Sequence, residues 1–382
     1  MKKHTSLLIV GAGPFGLAMA AYAKSRKIDH VVVGRPMAFW TKNMPEGMLL
    51  RSACNWHLDT DEIHTIKRYL QTLNLTPADV RPLSLGFYLG YVKWFQEQKN
   101  IEVTPAVVER LDHEKGERAL FKATLSNGEQ MTADRVLLAV GFQYFKSIPQ
   151  EISDVVPRGR FTHTCDFVDL SHSKDKRFLI IGGRQSAFEW AALLCENGAR
   201  TVHVSHRHET PDFTKSDWSW VPSIVNNMVE NPGWFRQLSV QEKEEATHRL
   251  WAEGRLRLEP WLWLRVNNDR VKIWPKSNVA KCSPLPTGEL KIELDSGDAL
   301  VVDHVVLATG YKVEMKNIPF LAAGNVLPEL AMENGFPKLD EHMQTNIPGL
   351  FSTSLSATQD FGPYFGFTVS VVAATKIVGN AL

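Results

Sequence analysis

Cysteine is scarce in this sequence: Cys54, Cys165, Cys195 and Cys282 are scattered over 382 residues, and no two form C-x-x-C. A disulfide framework and a cysteine zinc site are therefore not expected, and four structural thiols are. Thiol–disulfide exchange is disfavoured as well, since it uses a redox-active pair close in sequence. An excess of charge is also lacking. Forty-three basic residues face 42 acidic ones, with no block of one sign. Nucleic acid and anionic membranes are not expected partners. No apolar run approaches the roughly 20 residues of a bilayer span. Lys2 and Lys3 precede an apolar stretch as in a secretory signal, but Gly11, Gly13, Pro14 and Gly16 interrupt it, so a cytoplasmic protein is expected. Ser–His–acid and metal-ligand spacings are missing, and no metal is expected. With 44% apolar and 22% charged residues, the rest is ordinary globular composition at a length that allows two domains.

What is present is an internal repeat. Leu7–Val10 runs into Gly11-Ala-Gly-Pro-Phe-Gly16, and Phe178–Ile181 runs into Gly182-Gly-Arg-Gln-Ser-Ala187. Each start is matched by a closing strand, Asp134–Phe142 and Asp303–Tyr311. Gly11 to Gly141 and Gly182 to Gly310 span nearly equal lengths, 130 and 128 residues. Asn127-Gly128 and Asp295-Ser-Gly297 predict hairpins before the two closing strands. Two copies of one nucleotide-binding architecture follow, an α/β fold of two Rossmann-like domains with the second inserted in the first. The expected division is 1–155, then 156–311, then a return to the first domain over 312–382. Within the second copy, a helical insertion near 212–263 is rich in tryptophan. Ser239-Val-Gln-Glu242 reads as a capping box opening a helix that Gly254 ends. Its rings are expected mainly as core, with an apolar wall over a substrate as the functional alternative.

The first glycine motif carries specific physical demands. Gly11 makes the tight turn, Gly13 lets a pyrophosphate approach the backbone, and Gly16 packs the helix Leu17–Ser25 against the strand. Pro14 sits between them at the helix start. The acid that usually ends the next strand and holds the ribose is absent, because Val31–Val33 runs into Gly34-Arg35. Arg35 or backbone must hold the ribose instead. The second motif keeps Gly182 and Gly183 but has Arg184 at the second glycine position, followed by Gln185 and Ser186. After its next strand come His206, Arg207 and His208, a basic cluster that favours the 2′-phosphate of NADPH over NADH; a merely solvated loop is the alternative.

In these motifs the chain resembles the flavin-containing monooxygenase group, class B flavoprotein monooxygenases with two dinucleotide-binding domains. Leu307-Ala-Thr309-Gly310-Tyr311 matches a stretch of that group, and Gly159–Phe167 resembles its linker signature, with Pro157 where a Phe should lead. The resemblance implies FAD at the first site and NADPH at the second. It implies that a flavin C4a-hydroperoxide passes one oxygen atom from dioxygen to a small organic substrate. It places Trp40, Met48 and Ser52 along the flavin, Val107 at the adenine, and Gly141, Thr309 and Gly310 at the cofactors. Gly362, Phe365 and Gly366 are expected to precede a last helix from Phe367 to Gly379, aimed at the flavin. Asn55, with Arg51 and the Arg184–Ser186 turn, is the expected oxygen-activating environment, whereas His57 is expected as a structural hydrogen-bonder. The alternatives are a flavoprotein reductase or dehydrogenase without oxygen transfer, and a degenerate NADPH-binding sensor. The sequence is silent on substrate identity and leaves a homo-oligomer open.

Overall fold

The computed structural model describes residues 3–116, 120–166, 169–254 and 256–382; Phe167 of the linker signature lies outside them. Fourteen strands build the two main sheets and a connecting meander. In chain order they are β1 (His4–Val10), β2 (His30–Val33), β3 (Val108–Glu114), β4 (Leu120–Leu125) and β5 (Gln130–Leu138). Then come β6 (Phe161–His163), β7 (Arg177–Ile181), β8 (Thr201–His206) and β9 (Val271–Pro275). Last are β10 (Val279–Pro284), β11 (Leu290–Leu294), β12 (Ala299–Val302), β13 (His304–Leu307) and β14 (Leu350–Ser352).

The first sheet runs β2-β1-β5-β4-β3, with β14 added in parallel beside the far half of β5, Ser352 opposite Leu138. The second sheet, β9-β8-β7-β13-β6, is parallel throughout. The repeat read from the glycine turns is therefore a structural repeat. Each copy has its glycine turn after the central strand, and each closing strand is fed by an antiparallel meander, β3-β4-β5 and β10-β11-β12. The tight turns fall where expected. Gly128 and Gly297 take φ of 81° and 91°, and their N–H groups donate to Leu125 and Leu294. Because β14 pairs with β5, the chain returns to its first sheet after the second is complete.

The first helix spans Pro14–Ser25, three residues earlier than expected, because Pro14 takes the first helical position, where its missing N–H costs nothing. The capping box forms as predicted. The Ser239 N–H donates to Glu242 at 2.8 Å, the Glu242 N–H donates to the Ser239 hydroxyl at 3.3 Å, and the helix Val240–Gly254 follows. This helix and its neighbour Val221–Glu230 do not stay with the second sheet. Val221, Val225, Met228, Phe235 and Leu250 join the hydrophobic core of the first unit, which also holds Val371 and Ala374 of the last helix. The insertion thus reaches back across the cleft between the two sheets. Trp218, Trp220 and Trp234 pack against that core and Trp261 against the core of the second sheet, whereas Trp251 and Trp263 are exposed; Trp218 also walls a cavity.

Candidate active site

At the first turn two of the three glycines are explained by what a side chain would strike. Gly11 has φ of 116°, and a Cβ there would lie 2.3 Å from the Ala139 carbonyl oxygen. A Cβ on Gly16 would lie 1.9 Å from the Gly11 oxygen, so only glycine lets the helix sit against the strand. Gly13 differs: a Cβ would meet nothing within 4 Å, because the residue faces open cavity. Backbone is laid bare there, at the N-cap of a helix whose first turn holds no acidic residue. That is the geometry of an anion cradle.

The cavity beside this turn has a volume of about 560 Å³. Gly11, Gly13 and Pro14 line it, and so do Arg35 and Val107, as expected of an adenosine end. Trp40, Met48, Arg51 and Ser52 form a second stretch of wall, and Gly141 lines it from the closing strand. Ser186 reaches it from the second glycine turn, and Gly366 from the start of the last helix. Thr368–Ser370 is a 3-10 turn and the α-helix proper is Val371–Gly379, so its entry begins one residue later than predicted and is tighter. Gly366, Phe367 and Thr368 still face the cavity.

Other expected residues lie elsewhere. Asn55 is exposed and does not line the cavity; its neighbours Arg51, Ser52 and Trp56 do. His57 accepts the Asp59 N–H at 3.2 Å, and burial lowers its pKa, so it serves the loop as a structural hydrogen-bonder. Phe365 is fully buried, packed on Phe361 with ring centroids 5.5 Å apart, and Gly362 abuts Phe235. Neither lines the cavity. Thr309 and Gly310 clasp the linker: the Thr309 hydroxyl donates to the Ser147 carbonyl at 2.5 Å and the Ser147 N–H to the Gly310 carbonyl at 3.0 Å.

Arg51 is more occupied than an oxygen-activating group could be. Its Nε donates to Glu259 at 2.9 Å, and its terminal nitrogens donate to the Gly254 carbonyl and the Ser216 hydroxyl. Its guanidinium also lies over the Trp218 ring, 5.3 Å from the centroid. The structure makes it a clamp that ties the cavity wall at 48–52 to the insertion. Gly254 is part of that joint, since a Cβ there would lie 2.3 Å from the Trp218 ring.

The second turn repeats the first in part. Gly182 has φ of 141°, and a Cβ would lie 2.5 Å from the Ala308 carbonyl oxygen. At Gly183 the obstacle is new: a Cβ would lie 2.5 Å from the His206 side chain. His206 is only 4% exposed, its Nδ1 donates to the His208 carbonyl at 2.8 Å, and burial lowers its pKa. It is therefore a neutral packing residue and not a cationic phosphate ligand, contrary to the sequence expectation. Arg184 and Arg207 remain as the basic pair. Burial and the nearby positive charge of Arg207 both lower the Arg184 pKa, which places two cations together at the start of the helix Gln185–Glu196. Gln185 itself turns aside to accept the Glu259 N–H at 3.0 Å.

Several cavity residues escaped the sequence reading, among them Phe142, Tyr144, Trp56, Trp190 and Tyr311. Phe142 and Tyr311 follow the two closing-strand glycines and meet edge-to-face at 4.8 Å. Their matched positions in the repeat were the available signal.

Residues 8–248 match the family described as pyridine nucleotide-disulphide oxidoreductase. The chain belongs to that family. Among curated relatives, it is 28% identical over 357 residues to a ferredoxin–NADP reductase of Thermus thermophilus, covering 91% of this chain and 84% of the relative. It is 26% identical over 375 residues to the indole-3-pyruvate monooxygenase YUCCA6 of Arabidopsis thaliana, covering 87% and 81%. Among solved structures, the ornithine N-hydroxylase of Kutzneria sp. 744, described with reduced FAD, NADP+ and L-ornithine, superposes with a TM-score of 0.79 at 14% identity. That match covers 99% of this chain and 98% of the other. The FAD-bound cadaverine monooxygenase of Erwinia amylovora gives 0.73 at 16% identity, covering 99% and 95%. At such identities the superpositions establish the fold, and the fold is the one the motifs implied. The expected resemblance to flavin-dependent monooxygenases is borne out. No helix among the described residues is long and apolar enough to cross a membrane.

Proposed function

We propose that the chain is an FAD-dependent, NADPH-using monooxygenase that transfers one oxygen atom from dioxygen to a small organic substrate. One observation carries this reading. A single cavity runs from the first glycine turn to Ser186 of the second and on beneath the aromatic insertion, and no cysteine among the described residues lines it. Disulphide reduction, which the family description suggests, has no thiol at hand. Cys54, Cys165 and Cys195 are buried and all four cysteines are free. Burial raises the Cys165 pKa to about 11, far from a reactive thiolate.

The residues fit FAD. Gly13 presents bare backbone at a helix start, Arg35 stands where a ribose-binding acid is missing, and Val107 lies at the same end. Residues 1–155 and 312–382 are assigned to this cofactor and 156–311 to the nicotinamide, with Arg184 and Arg207 facing a 2′-phosphate. FAD, when bound, supplies the redox and oxygen chemistry. The chain supplies position and dryness. Ser52 and Thr368 share a hydroxyl pair at 3.0 Å on the cavity wall and offer hydrogen-bond donors where Asn55 does not. Trp218, Val221 and Leu250 roof the site and exclude water, which strengthens every polar contact inside. The start of the last helix adds a positive dipole end.

The relation to a ferredoxin–NADP reductase supports a second reading, reduction of a one-electron carrier without oxygen transfer. To separate the two, the FAD-loaded protein is reduced with NADPH without oxygen and then mixed with ¹⁸O₂ and candidate substrates. Bleaching of the flavin band followed by ¹⁸O in an organic product supports the monooxygenase. Bleaching followed only by peroxide, together with rapid transfer to a one-electron acceptor, sinks it in favour of the reductase.

A further inference from the structure

The repeat aligns the two adenosine ends residue by residue. The Gly11 N–H donates to the Val33 carbonyl at 2.8 Å, and the Gly182 N–H donates to the Ser205 carbonyl at 2.9 Å. Val33 lies opposite Val10 and Ser205 opposite Ile181, each the last residue before its glycine turn. Gly34 therefore corresponds to His206, and Arg35 corresponds to Arg207.

The place of Gly34 is where an acid usually holds the ribose hydroxyls. The structure shows why the first unit has none. A Cβ on Gly34 would lie 2.9 Å from the Ala12 nitrogen and 3.4 Å from the Ala12 methyl. In the second unit the crowding is reversed, since a Cβ on Gly183, the counterpart of Ala12, would lie 2.5 Å from the His206 side chain. Each unit has room for one side chain at this contact. The first unit places it in the turn, and the second places it at the end of the strand.

The residue that follows is an arginine in both units. Arg35 and Arg207 are exposed, and neither is held by an ion pair or hydrogen bond among the described residues. Arg35 lines the large cavity, and no aspartate or glutamate among the described residues does. A guanidinium at the strand end, with no carboxylate beside it, suits a phosphate on the ribose. The FAD ribose carries hydroxyls there and no phosphate.

We propose that the first site also takes a 2′-phosphoadenosine nucleotide, so that NADP+ competes with FAD for it far better than NAD+ does. The inference rests on the proposed FAD and NADPH sites and adds a second class of ligand to the first of them.

The test loads the full chain with increasing FAD in the presence of equal concentrations of NADP+ or NAD+, and measures bound flavin by absorbance after ultrafiltration. NADP+ is expected to raise the FAD concentration for half loading at least tenfold more than NAD+ does. Arg35→Ala should abolish that difference, and Arg207→Ala should leave it intact. Retention of the difference in Arg35→Ala, or its loss in Arg207→Ala, would put the effect at the second site and overturn the inference, as would equal effects of the two nucleotides on the unaltered chain. A direct count needs no variant: the flavin-free chain should bind two NADP+ and the FAD-loaded chain one. A chain that retains no flavin removes the FAD reading instead. The inference is then decided by that count alone, which upholds it at two NADP+ per chain and overturns it at one or none.

Discussion

Arg51 offers the sharpest perturbation, because one side chain joins two parts of the chain some 200 residues apart in sequence. Its ion pair with Glu259 is largely buried, with side-chain exposures of 17% and 14%. A hydrogen bond to a charged group contributes about 1.5–3 kcal/mol. The bonds to the Gly254 carbonyl and Ser216 come from the same charged group and fall in the same range, and the Trp218 stack adds about 1 kcal/mol, but these contributions are not additive. Removing one partner also strands the other charge, a cost of about 3–5 kcal/mol for a fully buried pair. Arg51→Met should therefore destabilise by about 3 kcal/mol and Glu259→Gln by about 2. The double variant should lose about 3, which leaves a coupling energy of about 2 kcal/mol. Urea unfolding of the four proteins, followed by tryptophan fluorescence and by circular dichroism, measures this, with coincident curves as the check on two-state behaviour. Losses that simply add within about 0.5 kcal/mol would refute the clamp. The functional consequence is a looser roof, so Arg51→Met should also raise the share of NADPH oxidation that yields peroxide instead of product.

Two further predictions use other parts of the structure. Gly183→Ala puts a methyl group 2.5 Å from the buried His206 side chain, so the second turn must shift while the first is untouched. The protein should keep its flavin band but lose at least tenfold in the rate at which NADPH bleaches it; an unchanged rate would mean that this turn does not hold the nicotinamide cofactor. Glu189 and His203 should set opposing slopes in the pH dependence of stability. Burial raises the Glu189 pKa to about 7, even though Arg265 lies 2.6 Å away and the Leu49 N–H also donates to it. Between its ordinary value and 7 the folded state holds the extra proton, so this contribution to stability falls as pH rises. Burial lowers the His203 pKa to about 4, with the Trp274 indole donating to its Nδ1 at 3.1 Å. That contribution is present above the ordinary histidine range and is lost as pH falls through 4. Glu189→Gln should therefore make the rise of the urea midpoint from pH 4.5 to 6.5 steeper, and an unaltered profile would count against the burial argument.

How far the sequence could be read follows from the range over which each feature is determined. The glycine turns were legible because their demands are local: a positive φ and a carbonyl within 2.3–2.5 Å at Gly11 and Gly182 leave no other residue possible. The hairpin glycines and the capping box are local in the same sense. Arg51 was misread because its partners come from the far side of an insertion, and no spacing in the sequence announces them. His206 was misread for a different reason, and the signal was there. It stands in phase with Val202 and Val204, both fully buried, on a strand whose alternate residues point into the sheet's packed face. Counting it as basic used its type and ignored its phase. Asn55 was carried by resemblance alone, and the loop that holds it turns its neighbours to the cavity instead.

The two copies have also diverged in a way that the insertion makes intelligible. The first turn keeps its bare glycine at Gly13 and opens onto the cavity directly. The second replaces that glycine by Arg184, whose guanidinium lies 5.9 Å from the ring of Trp251 in the insertion helix. Gln185 of the same turn holds Glu259, and Glu259 holds Arg51 on the cavity wall. A dinucleotide seated at the second turn must therefore contact side chains that also position the roof. On the proposed function, loading the nicotinamide site and closing the substrate site would be bound to the same few residues. That arrangement gives the insertion a physical reason to reach across to the first unit's core, since a roof packed only on its own sheet would leave Arg51 without its partners.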